Sequence, residues 1–159
     1  MTIKGIKMEK QAGLAGVIAG ETAICAVGKS NAGLTYRGYG IQDLISKATF
    51  EEVSYLLING DLPTKVQLSA YQTEISKSQG LPGAVVNALE SMPGNAHPMD
   101  VLRTACSLLG TIEQESVDLK TDGKTQKKIA LRLMPFFASA LMYWYWFHNG
   151  NKKIDVNTK

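Results

Sequence analysis

From Ile41 onward, apolar positions recur at helical spacing between sharp polar breaks. Phe50, Val53, Leu56 and Leu57 share one face of a helix predicted over 50–59, because residues three and four apart lie on the same side. Thr49 and Glu52 form a capping box at its start, in which hydroxyl and carboxylate satisfy each other's backbone N–H groups. Asn59-Gly60 ends it, since glycine accepts the left-handed conformation that closes a helix. Thr64 and Gln67 repeat the box after Leu62-Pro63, and Leu68, Tyr71 and Ile75 carry a helix predicted over 65–79. Pro82 suits a first helical position, with Val85, Val86, Leu89 and Met92 forming the next face.

Residues 98–109 show two apolar faces, one of Met99, Leu102, Cys106 and Leu109 and one of Val101, Ala105 and Leu108. A helix apolar on two sides must be covered on both, by its own domain or by a second subunit. The stretch 112–128 is polar, contains Asp122-Gly123 and reads mostly as a connecting loop; a long apolar helix follows over 126–148. Before residue 41 helical periodicity is weak. Residues 22–27 suit an extended strand, 34–37 alternate, and the glycine-bearing run 28–33 between them predicts a two-stranded hairpin within 22–37. The expected class is mainly α, with an N-terminal hairpin-bearing segment at 1–40, a helical portion at 41–150 and a polar tail at 151–159.

Composition narrows the class. Hydrophobic residues make up 45% and charged residues 19% of the 159, which suits an ordered globular chain. The net charge of +3 comes from scattered lysines, so a solvated surface explains it and nucleic acid is not an expected partner. Cys25 and Cys106 form no CxxC pair and no histidine stands at metal-ligand spacing, so no metal is expected. Two free, buried thiols in a reducing compartment are expected, and the absence of a signal-peptide pattern in residues 1–11 makes the cytoplasm the expected location. Residues 129–147 are apolar and about long enough to span a bilayer, but they contain Arg132 and Pro135. An arginine within a span costs about 2.5–3.5 kcal/mol on insertion scales. A central helix buried among others explains the same run, so no membrane association is expected.

The search for chemistry is mostly negative. The two histidines, His97 and His148, are far apart, and no serine sits in a GxSxG turn. The glycine-rich stretch 13–20 lacks the Lys-Ser/Thr of a phosphate loop and the strand–helix setting of a dinucleotide fingerprint. Glu51 and Glu52 are adjacent on a helix and point apart. His97, before Pro98, is placed to cap or pack at a helix start, and His148 to sit favourably at a helix C-terminus. Arg37, in Tyr36-Arg37-Gly38-Tyr39, offers a planar fork for a carboxylate or phosphate; an ion pair with Asp43, tying the hairpin to the first helix, is the preferred reading.

Several ordered motifs together resemble the start of the bacterial citrate synthase family. They are the run 13–20, Val27-Gly28-Lys29-Ser30, the run 34–39, Phe50-Glu51-Glu52-Val53, Leu56-Leu57-Ile58-Asn59-Gly60, Leu62-Pro63-Thr64, the run 97–105 and Tyr143-Trp144-Tyr145-Trp146. The Gly-Lys-Ser segment and the Tyr-Trp-Tyr ending are more similar to the family's 2-methylcitrate branch. The resemblance implies the N-terminal part of a helical large domain, with the rest of that domain and a small domain absent. It implies condensation of propionyl-CoA or acetyl-CoA with oxaloacetate, with CoA released and no cofactor needed, in a homodimer joined through helices near 98–109 and 129–147. The family's two catalytic histidines lie in HGGAN-like and GFGH-like motifs, and its catalytic aspartate lies further on. None of these motifs occurs here, so the catalytic groups are expected beyond Lys159 and the chain alone is expected to be inactive. His97 matches a landmark that is not catalytic. One substrate contact carries over by position to Ser76, where some relatives have arginine. A non-catalytic helical dimerisation module is the alternative reading.

Were Arg37 structural, Arg37→Ala would lower stability by about 1–3 kcal/mol and leave substrate affinity of the parent enzyme nearly intact. Thermal melts paired with substrate titration check this, and lost affinity at an unchanged melting temperature overturns it.

Overall fold

The computed structural model describes residues 17, 18, 20–28, 33–113 and 123–156. Its elements are β1 (Cys25–Val27), β2 (Leu34–Tyr36), β3 (Tyr39–Gly40), α1 (Ile41–Lys47), α2 (Phe50–Asn59), α3 (Lys65–Lys77), α4 (Gly83–Ser91), α5 (Pro98–Ile112) and α6 (Gly123–Gly150). They divide into two compact units, Met1–Lys47 and Ala48–Lys159.

In the first unit β1 and β2 pair antiparallel, Cys25 opposite Tyr36 and Val27 opposite Leu34. The Gly28 N–H donates to the Gly33 carbonyl at 3.0 Å, closing the expected hairpin. Residues 29–32 of its turn, like most of the glycine-rich run 13–20, lie outside the described residues. The sheet has three strands, one more than expected. Arg37 and Gly38 take φ 50° and 90°, the left-handed pair that lets a two-residue turn match the twist of its strands, and they fold β3 back onto β2. Arginine at the first of these positions hid the turn, because such turns usually carry Asn or Gly there. The Arg37 N–H donates to the Ile24 carbonyl at 2.9 Å. Asp43 does not take the expected role as the partner of Arg37. It pairs within α1 with Lys47 at 2.8 Å, and that hydrogen bond holds its carboxyl below the usual range. Cys25 is exposed and Cys106 only half-buried, so the expectation of two buried thiols fails. The short strand carrying Cys25 has little to cover it.

In the second unit both capping boxes form: Thr49 with Glu52 opens α2, and Thr64 with Gln67 opens α3. Gly60 closes α2 at φ 102°, a conformation that favours glycine. Leu56 is buried, but Phe50 is 68% exposed and does not belong to the inner face assigned to it. It sits at the first position of the helix. Tyr71 joins the two helices, its ring edge-on to Tyr55 at 5.2 Å and its hydroxyl 3.0 Å from Ser54 Oγ. α3 ends at Lys77, short of the expected 79, and Pro82 is the residue before α4 rather than its first. The His97 Nδ1 accepts from the Met99 N–H at 3.2 Å and caps α5, as its place before Pro98 suggested.

α6 starts at Gly123, inside the stretch read as loop; residues 114–122 lie outside the described residues. It packs against α3, α4 and α5. The core is Val85 and Leu89 of α4, Val101, Ala105 and Leu109 of α5, and Phe136, Ala140, Tyr143 and Trp144 of α6. Leu109 therefore belongs with Val101 and Ala105, not with the Met99 face, and Leu108 is half-buried at its side. Pro135 is buried within α6, where it brings no N–H for the preceding turn but adds apolar surface. Among the described residues no helix is long and apolar enough to cross a membrane.

Phe136 is fully buried and Phe50 is not, so the same truncation should give opposite outcomes. Phe136→Ala is expected to cost about 3–5 kcal/mol and Phe50→Ala less than about 0.5 kcal/mol, read by urea denaturation.

Candidate functional site

A cleft of about 800 Å³ lies between the C-terminal ends of α3 and α5 and the first turns of α6. Glu74 and Ser78 line it from α3, Cys106 and Leu109 from α5, Glu113 just after α5, and Lys128 and Arg132 from α6. Arg132 dominates its chemistry. Its Nε donates to Glu113 Oε1 at 2.9 Å, Nη2 lies 2.9 Å from the same oxygen, and Nη1 donates to the Ser78 carbonyl at 2.7 Å. The guanidinium carbon also sits 5.5 Å from the centre of the Phe136 ring. Ser78 follows the last turn of α3 and Glu113 the last turn of α5, so the cation stands where the two helix dipoles present their negative ends. Its fork is committed to protein groups, and it holds three helices together rather than presenting a free charge to a ligand.

The remaining candidates serve separate local tasks. His97 caps α5. The His148 Nε2 lies 3.1 Å from the Leu89 carbonyl, and its ring packs on Phe147 and Trp144, a tertiary contact to α4 beyond the dipole placement expected of it. Ser76 is exposed on α3 and lines neither this cleft nor the smaller one, about 380 Å³, between α2, α3 and the start of α6. Arg37 belongs to the first unit. Among the described residues no group of three His, Cys, Asp or Glu side chains could hold a metal. Arg132 was legible as an anomaly, a lone arginine in an apolar helix, but the helix ends that it joins are far from it in sequence.

A second feature is an uncovered apolar surface on the same helices. On α5, Met99 is 64% exposed while Leu102 and Cys106 are half-buried, beside the inward Val101, Ala105 and Leu109. On α6, Met134, Ala138, Met142 and Tyr145 recur at spacings of four and three residues on the side opposite Phe136. Leu131, Pro135 and Ser139 are buried along the first half of α6; the same helix side becomes exposed at Met142, 45%, and Trp146, 44%.

A family model described as citrate synthase, C-terminal domain, matches residues 13–159. The chain is 50% identical over 147 residues to 2-methylcitrate synthase of Shewanella oneidensis, which covers 92% of this chain and 38% of that protein. It is 41% identical to 2-methylcitrate synthase 2 of Corynebacterium glutamicum, over 77% of this chain and 31% of that one. Among solved structures, citrate synthase from Thermotoga maritima MSB8 superposes with a TM-score of 0.72 at 31% identity, covering 87% of this chain and 35% of the other. The chain thus spans between 31% and 38% of the length of these proteins.

Removing the Arg132 fork leaves Glu113 and the Ser78 carbonyl without their shared donor. Arg132→Ala is expected to cost about 1.5–3 kcal/mol, the range for hydrogen bonds to charged groups. Arg132→Lys should recover only part of it, because an ammonium does not reproduce the planar fork. Chemical denaturation of the variants checks both, and full recovery by lysine would show that charge alone suffices.

Proposed function

The chain belongs to the citrate synthase family, and on that footing we propose that it forms the helical scaffold of an acyl-CoA-condensing synthase of the 2-methylcitrate or citrate type, with the catalytic acid–base groups outside its 159 residues. One observation carries the reading: both histidines of the chain are engaged by the backbone, His97 at the start of α5 and His148 at the Leu89 carbonyl. His97 thus serves the start of α5 and His148 the contact between α6 and α4. In the reaction proposed for the whole enzyme, an aspartate removes the proton beside the thioester carbonyl. One histidine hydrogen-bonds the enol oxygen and a second polarises the ketone of oxaloacetate. Hydrolysis then releases CoA, so the acyl-CoA is a substrate and no cofactor is required. The identity to 2-methylcitrate synthases favours propionyl-CoA as the acyl donor. Ser76, exposed on α3, is the position of this chain carried into the reading as a substrate contact.

In this reading the chain pairs with a second copy in the cytoplasm through α5 and α6. The uncovered stripes on those helices support it, since monomers rarely leave apolar patches beyond a few hundred Å² exposed. A symmetric pair buries the same patch on both copies. The same stripes favour the second reading, a non-catalytic dimerisation module. An HGGAN-like motif in the same reading frame separates the two, being required by the first and absent from the second.

The purified chain is expected to sediment as a dimer and to release no CoA thiol above background from propionyl-CoA and oxaloacetate. Met142→Glu should shift it toward monomer by placing a charge in the stripe. Turnover above background would place the chemistry within these residues, and a monomer at micromolar concentration would remove the interface.

A further inference from the structure

α4 is a short helix of nine residues whose leading residue, Pro82, makes no side-chain capping bond. Two polar ties join its C-terminal end to α6. Tyr143 donates to Glu90 Oε1 at 2.6 Å, and the His148 Nε2 lies against the Leu89 carbonyl at 3.1 Å. After α6 the chain folds back on itself. Asn151 takes φ 47°, a left-handed conformation that asparagine tolerates, and the Lys152 N–H donates to the Trp146 carbonyl at 3.2 Å. The reversal brings Lys153 Nζ to 2.7 Å from the same Glu90 oxygen and 5.6 Å from the centre of the Phe147 ring. Ile154 and Val156 then pack on the core that α4 shares with α6. One carboxylate oxygen thus accepts from α6 and from the returning segment together.

We propose that residues 151–156 form a strap that holds α4 against α6, with Glu90 as its catch and Asn151 as its hinge. Apolar burial alone does not account for the order of this segment. It contributes two half-buried side chains, Ile154 and Val156, against the conformational entropy lost in ordering the backbone of residues 151–156. The Lys153–Glu90 pair adds a polar tie from the segment to α4, beside the Lys152 N–H bond to Trp146. Three titratable groups face that carboxylate: Tyr143, Lys153 and His148. The bond from Lys153, then that from Tyr143, hold Glu90 below its ordinary range, so it stays a charged acceptor from neutral pH down past the usual carboxylate value. Burial, reinforced by Glu90, pushes the Tyr143 hydroxyl up to about 12, which keeps it a donor over the same span. The catch is therefore closed at neutral pH and opens as acid protonates Glu90.

Trypsin cleaves after lysine, and Lys152-Lys153 lies within the strap, so limited digestion reports its opening. Hydrogen exchange of the α4 amides, 83–91, reports what opening does to the helix beneath. Glu90→Gln removes the charge with little change of shape, and Asn151→Val puts a β-branched residue where φ is positive. Both variants are expected to speed cleavage at 152–153 by about threefold or more and to raise α4 exchange, while the α2 amides, 50–59, are unchanged. Faster cleavage with α4 exchange unchanged would make the segment a passive tail. Unchanged cleavage in Glu90→Gln would dismiss Glu90 as the catch. If Glu90→Gln also loosens α2, Asn151→Val decides, because it leaves the Tyr143–Glu90 bond in place.

Discussion

A 28-residue helix with apolar side chains on most of its faces has to be surrounded, and the packing of the second unit follows from that requirement. α3, α4 and α5 each lie against α6. Phe136 and Ala140 are without measurable exposure, and Tyr143 and Trp144 extend the buried side by one turn. Pro135 is tolerated inside the helix because it too faces its neighbours, exchanging one backbone hydrogen bond for apolar contact.

Arg132 shows how such a helix admits a charge. Three hydrogen-bonding nitrogens of the guanidinium reach the carboxylate after α5 and the carbonyl after α3, and its central carbon lies over the Phe136 ring. The negative ends of two helices converge there and a cation offsets both. The arginine that argues against a membrane span is thus the residue that aligns α3 and α5 on α6. Its commitment means that the guanidinium offers no free fork to the cleft it lines.

The polar side chains in the unit share this division of labour. His97 and His148, the residues most often recruited for proton transfer, complete the start of α5 and fasten the end of α4. Tyr71 and Tyr143 send their hydroxyls to Ser54 and Glu90 while their rings fill the interior. What stays unspent is apolar: the outer side of α5 at Met99 and the side of α6 opposite Phe136. Beside these locally engaged polar groups, the exposed apolar residues of α5 and α6, such as Met99, Met142 and Trp146, have no covering element among the described residues.

Local chemistry was legible along the chain. The boxes at Thr49–Glu52 and Thr64–Gln67, the stop at Gly60, the cap at His97 and the hairpin glycines involve residues within a few positions of one another, so their partners are visible in the sequence. The family motifs were legible for the same reason, as short runs in a set order. Tertiary structure alone decided which face of each element is inside. Periodicity placed Phe50 with Leu56, yet Phe50 is exposed; Leu109 joined Val101 because α6 lies on that side. It also decided the partners of Arg132 with Glu113 and Ser78, of Glu90 with Tyr143 and Lys153, and of Asp43 with Lys47 rather than Arg37. Hydrogen bonds and burial act over a few ångströms, and only folding brings residues such as Ser78 and Arg132, 54 positions apart, within that range.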